Sequence, residues 1–233
     1  MTNVASGRDR ACRAAAEETL ERVGRRDGAC NNAAGNMLDT AEIEALLLSL
    51  RIATVAVVCA LPFALAAATL LSHRRFPGKA MVDGALHLPL VLPPVVVGYL
   101  LLIALGTRAP VGHWLLAHLG IRFAFSWTGA ALAAGIITFP FQVRAIRLAM
   151  EAIDGGLGAA AETLGAGPFD RFINLTLPLA LPGIVAGAIT AFAACLGEFG
   201  AIITFVSNVP GETRTLPLAI YSALQSPGGE AEA

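Results

Sequence analysis

Four long windows of the chain carry no charged side chain: Ile52 to His73 (22 residues), Gly84 to Thr107 (24), Phe123 to Val143 (21) and Phe172 to Gly197 (26). Each can hold a membrane-spanning helix, which needs roughly 20 apolar residues. Val, Leu, Ile, Ala and Phe fill the windows without the strict alternation of an outer-membrane barrel strand, so they dictate an all-α membrane protein. The whole chain of 233 residues is 56% hydrophobic and 14% charged, with mean hydropathy +0.68, a balance that excludes most soluble folds. Charge gathers at the front, where residues 1–44 hold 6 Arg and 8 acids.

The windows predict four transmembrane helices, at about 45–72, 81–106, 128–150 and 178–206. Pro62 is placed to kink the first, which ends at His73-Arg-Arg-Phe-Pro-Gly-Lys79; this cation cluster marks an internal loop. The second carries Pro89, Pro93 and Pro94, too many for a regular helix. Broken backbone at membrane depth survives only where protein or a water-filled path covers it. Residues 107–127 are interrupted by Arg108, Pro110 and Arg122 and hold Trp114 and Trp127, as expected of an external interfacial connection. The third span ends with Arg144 and Arg147 on one face, placed to snorkel to the inner surface.

The internal loop 151–177 reads as a helix-turn-helix. Leu157, Ala161 and Leu164 stand at i, i+4 and i+7, Gly165 and Gly167 break the run, and Pro168 suits the first position of a second helix. The apolar face so formed meets either a cytoplasmic protein or the lipid surface. The fourth span is expected to start after Pro178 and Pro182, with Gly183, Gly187 and Ala191 as a stripe for close helix packing. It reaches Gly197-Glu198-Phe199-Gly200, a carboxylate at membrane depth that is either functional or hydrogen-bonded to backbone at a helix end. The external run Ser207 to Thr215 is dense in turn residues and donors, and lines an entrance or docks a partner.

Several function classes drop out. The net charge of −1 comes without a basic stripe, so no nucleic-acid partner is expected. Cys12, Cys30, Cys59 and Cys195 form no CxxC pair and read as free thiols; His73, His87, His113 and His118 read as ordinary interfacial or packed histidines. No Ser/His, paired-Asp or HExxH arrangement lies in the spans, so neither a catalytic site, a metal nor a cofactor is expected.

Three segments carry a family resemblance: Leu88-Pro-Leu-Val-Leu-Pro-Pro-Val-Val-Val-Gly-Tyr99, Ala160-Ala-Glu-Thr-Leu-Gly-Ala-Gly167 with Leu177-Pro178, and Leu196-Gly-Glu-Phe-Gly200 through Thr204 to Thr215. Over residues 37–229 the chain resembles the molybdate permeases of ATP-binding-cassette (ABC) importers. The loop pattern alone is similar to type I importer permeases in general; the other two segments narrow it to the molybdate/sulfate group. The resemblance implies a non-enzymatic, multi-pass subunit of the bacterial inner (plasma) membrane that works as a homodimer. Two cytoplasmic ABC ATPase subunits are implied below it, and a periplasmic or lipoprotein oxyanion-binding protein above.

The same resemblance implies the site residues. Leu157, Ala160, Ala161, Glu162, Leu164, Gly165 and Gly167 belong to the ATPase-coupling segment. Pro93, Pro94, Gly98, Gly197, Glu198, Phe199, Gly200 and Thr204 belong to the pathway and gate. Ser207, Asn208, Gly211, Glu212, Thr213 and Arg214 belong to the external loop that contacts the binding protein. The family motif usually begins with a glutamate six or seven residues before the glycine matching Gly165, where this chain has Gly158 and Ala159. A divalent oxyanion avoids an ionised carboxylate, so Glu198 is expected to fix the gate by hydrogen bonding. Hydroxyls and backbone N–H groups at broken helices suit the anion better.

Two segments depart from the family. Residues 1–36 match nothing in it and lack the apolar core of a signal peptide, so they form a polar extension, disordered or ahead of a true start at Met37. Residues 37–233 form the membrane domain, and the family continues into one more membrane helix past Ala233. The alternatives to molybdate transport are therefore a sulfate or tungstate permease and a truncated, non-transporting membrane subunit.

Overall fold

The computed structural model describes residues 42–72 and 77–225, so the polar extension expected at residues 1–36 lies outside the described residues. The chain divides into two units, 1–44 and 45–233, and the second holds nearly all of the described residues. These form helices and connections, with no strand among the described residues. Three helices are long and apolar enough to cross a membrane: α1 (Glu42–Ser72), α5 (Trp127–Glu151) and a run from Pro168 to Leu196. A bent pair, α2 (Lys79–Val91) and α3 (Pro94–Leu105), turns by 108° between its halves and makes a fourth crossing if it counts as one span.

Helix α5 is the central column. Its buried positions Gly129, Ala130, Ala131, Ala133, Ala134 and Gly135 are all small, so neighbours come close. Ser126 caps it, accepting a hydrogen bond from the Gly129 N–H at 3.2 Å. Helix α1 runs parallel to it: the Arg51 guanidinium lies 4.0 Å over the Trp127 ring at one end, and Ser72 Oγ meets Met150 Sδ at 3.7 Å at the other. Pro62 is accommodated within α1 without a break.

The third crossing runs antiparallel to α5 on the expected small-residue stripe. A Cβ on Gly183 would lie 2.2 Å from the Ala149 Cβ, and one on Gly187 3.0 Å from the Ala145 Cβ, so only glycine permits the approach; Ala191 is fully buried. Two apolar clusters result. One centres on Ile52, Ala134, Cys195 and Phe205, the other, near the helix-turn-helix, on Leu71, Ile146 and Ala180.

The 81–106 segment, with too many prolines for a regular helix, is a corner that breaks at Leu92-Pro93; Pro89 stays inside α2 and Pro94 opens α3 as a first-turn proline. Two sequence expectations need correction. The fourth span does not start after Pro178 and Pro182. It is helical from Pro168, through α7 (Pro168–Arg171) and a π-helical stretch Phe172–Thr176 into α8 (Leu177–Leu196). The wider π turn lies directly before Pro178, relieving the clash of its ring with the carbonyl four residues back. Nor does that span reach residue 206: it stops at Gly197, and a separate α9 (Gly200–Val206) follows.

Short helices fill the remaining connections. They are α4 (Pro110–Leu119) in the interfacial segment, α6 (Gly155–Thr163) in the helix-turn-helix and α10 (Leu216–Leu224) after the external loop.

Candidate functional site

At one end the helix-turn-helix forms a compact hairpin. Asp154 Oδ1 caps α6 by accepting from the Gly156 N–H at 2.9 Å. Gly165 closes it at φ +87, a left-handed turn that glycine adopts without strain, and the Ala166 N–H returns to the Ala161 carbonyl at 3.0 Å. Pro168 takes the first position of α7, as its fixed φ favours. Glu162 Oε2 accepts from Arg171 Nη1 at 2.7 Å, so the two hairpin helices are joined by an ion pair across the turn.

Of the coupling-segment residues, Leu157, Ala160, Glu162, Leu164, Gly165 and Gly167 are exposed and Ala161 is half-buried. Leu164 is 88% exposed and Phe169 75%, an apolar surface at the tip of the hairpin that the described residues leave open. A cavity of about 890 Å³ separates the hairpin from the end of α1; Thr69, Leu70, Asp154, Glu162, Arg171 and Phe172 are among its lining residues.

The pathway residues divide. Pro94, Gly98, Gly200 and Thr204 come together where α3 crosses α9. A Cβ on Gly98 would stand 2.7 Å from the Ala201 carbonyl oxygen and 3.0 Å from the Thr204 Cβ, and one on Gly200 3.0 Å from the Pro94 Cβ. Thr204 Oγ1 donates back to the Gly200 carbonyl at 2.7 Å, so its hydroxyl proton is spent on its own helix. Pro93 marks the corner before α3, and at Gly197, which ends α8, an added Cβ would meet only the Ala194 carbonyl oxygen, at 3.8 Å.

Glu198 is buried, and its Oε1 accepts from the Ala201 N–H at 2.9 Å, in the first turn of α9. Phe199 leaves the break to meet the Tyr221 ring of α10, 5.1 Å between centroids.

The run Ser207–Thr215, expected to be external, is hydrogen-bonded within itself. Thr213, expected among the partner-facing residues, is instead fully buried: its Oγ1 accepts from the Val209 N–H at 2.9 Å and donates to the Ser207 carbonyl at 3.0 Å. A hydroxyl at this position closes the loop on itself, which a sequence rich in donors does not reveal. Asn208 and Arg214 are half-buried and joined, Arg214 Nε donating to Asn208 Oδ1 at 3.2 Å. Ser207, Gly211 and Glu212 remain exposed. Gly211 adopts φ +77, and Ser207 takes φ +66 with ψ −172, a conformation rare for a residue other than glycine, where the chain leaves α9.

Two contacts lie beyond what the sequence alone predicts. Ser49 Oγ accepts from the Leu216 N–H at 2.7 Å, so α1 caps α10 across 167 residues. Arg147 is not free to snorkel: it is held between Asp83 of α2 and Glu151. The i, i+4 spacing of Arg147 and Glu151 is the available signal for the second. Nothing in the sequence marks the first. Among the described residues no cluster of three or more metal-ligating side chains occurs, and Cys59 and Cys195 are free thiols.

Residues 60–226 match the family described as binding-protein-dependent transport system inner membrane component. The chain is 57% identical over 197 residues to the molybdenum transport system permease protein ModB of Escherichia coli K12, covering 84% of this chain and 86% of that protein. It is 52% identical over 189 residues to ModB of Haemophilus influenzae, covering 81% and 82%. To the sulfate transport system permease protein CysT of Escherichia coli K12 it is 36% identical over 163 residues, covering 70% and 58%. The chain therefore belongs to the binding-protein-dependent transport system inner membrane components, as a multi-pass, non-catalytic membrane subunit.

Proposed function

We propose that this chain is the permease subunit of an ATP-driven molybdate importer, working as a homodimer with two cytoplasmic ATPase subunits and an external oxyanion-binding protein. The carrying observation is the 57% and 52% identity to two molybdenum permeases against 36% to a sulfate permease, over most of this chain. The uncovered apolar tip of the hairpin supports an ATPase docked there: Leu164 and Phe169 are far more exposed than an isolated membrane subunit needs. The exposed Val95, Tyr99 and Ile103 of α3 support a second copy across the pathway.

In this reading the hairpin carries the ATPase's motion into the membrane, and the α3–α9 crossing forms the gate. The gate's rigidity comes from glycine contacts and from the Glu198 bond to α9, and the anion is met by backbone N–H groups and hydroxyls on the path. Two populations, open to either side, exchange as ATP binding favours one of them. Expression with its ATPase and binding protein in cells lacking a molybdate permease tests the assignment. Growth that depends on a molybdenum enzyme should return at trace molybdate and survive excess sulfate. Growth abolished by excess sulfate would move the assignment to a sulfate permease.

A further inference from the structure

We propose that Arg147 is the positioning residue of an ion-pair clamp that ties the root of the cytoplasmic hairpin to the first half of the broken span. Its Nε donates to Glu151 Oε1 at 2.7 Å and its Nη1 donates to Asp83 Oδ1 at 3.0 Å. Glu151 is the last residue of α5, three before the Asp154 cap of α6, so this carboxylate sits where the hairpin begins. Asp83 lies in the second turn of α2, 64 residues away in sequence. A guanidinium makes both bonds at once because its N–H groups point in fixed, different directions; a lysine ammonium is a single point of charge.

The clamp matters because, among the described residues, little else holds α2. None of its residues is buried, and Met81, Leu88, Leu90 and Val91 are exposed, although Leu86 packs on the nearer apolar cluster. Helix α3 beyond the corner is held firmly by the glycine contact to α9. The two halves are thus anchored by different means: the first to the hairpin root through charge, the second to the gate through close packing. Displacement of the hairpin root is passed through Glu151, Arg147 and Asp83 into α2, and from there to the corner at Leu92-Pro93. His87 shares Asp83, its Nδ1 lying 2.8 Å from the Asp83 carbonyl oxygen and 3.5 Å from the carboxylate.

This inference rests on the hairpin being the ATPase-coupling element. It is tested on the full chain assembled with its ATPase and binding protein, by two readouts: molybdate taken up per ATP hydrolysed, and hydrogen exchange of the α2 backbone. Asp83→Asn and Arg147→Gln should each lower uptake per ATP about ten-fold. Each should raise α2 exchange while the ATPase still co-purifies. The double variant should match the single ones to within about two-fold, because one unit is broken either way, and Asp83→Glu should keep at least about half of the wild-type ratio. With a wild-type chain that transports, effects that multiply in the double variant, or unchanged uptake per ATP, would each overturn the clamp, as would unchanged α2 exchange in any case. A wild-type chain that moves no oxyanion, with exchange following the expected pattern, would refute the transport reading and leave the clamp standing.

Discussion

Glu198 is buried, and one of its carboxylate oxygens is taken up by the backbone of the next helix. Burying a carboxylate at membrane depth is costly, and the Ala201 N–H is what makes this position workable. Glu198→Gln keeps an oxygen for that N–H, so uptake should persist. Glu198→Ala leaves a first-turn donor of α9 unpaired and should destabilise by about 1 kcal/mol, seen as a lower melting temperature of the purified protein. Equal melting temperatures for the two variants would contradict this role. Gly98 makes a sharper case, because Gly98→Ala places a methyl 2.7 Å from the Ala201 carbonyl oxygen. The α3–α9 crossing has to open, at about 1–3 kcal/mol for overpacking, and the same thermal measurement should show it. These two roles differ in how far the sequence announces them. A carboxylate between glycines is conspicuous, and both its possible roles follow from its position; Gly98 stands out only through family resemblance, since a glycine in an apolar run carries no sign of what it touches.

Hydropathy reports composition, and the elements are legible to the extent that composition decides them. α1 and α5 each contain most of an uncharged window, although α1 begins ten residues before its window and α5 ends eight residues after, and the corner at Leu92-Pro93 follows from the proline pair. The break at Gly197–Phe199 lies in a run that stays apolar on both sides of Glu198, so no hydropathy signal marks it. Prolines mislead in the other direction. Pro178 and Pro182 suggest a boundary, yet the π turn before them keeps the helix continuous from the hairpin to Leu196. That continuity gives the hairpin a lever: α7 and α8 are one helix, and the Glu162–Arg171 pair fixes α6 to its head. The pair is exposed on the Glu162 side and stabilises the fold little. The Leu164 side chain is 88% exposed, so Leu164→Asp should leave the melting temperature unchanged while abolishing co-purification of the ATPase subunit. Retained co-purification would move the docking surface elsewhere.

For the molecule as a whole, the proposed sidedness and path rest on three features that no single element carries. The cation clusters bias orientation, the hairpin offers an exposed apolar tip at one end, and the self-bonded Ser207–Thr215 loop stands at the end of α9 beyond its crossing with α3. Between them α5 is a fixed column of small residues, while α2 and the hairpin are lightly held, the combination expected of a scaffold with moving parts. Proteoliposomes containing this chain, its ATPase and its binding protein, with ATP supplied on the ATPase side, put ATP-driven molybdate import to a direct test. Labelled molybdate should accumulate in an ATP-dependent manner, and omitting either ATP or the binding protein should stop it. Molybdate uptake that continues without ATP, or none with every component present, would contradict that assignment.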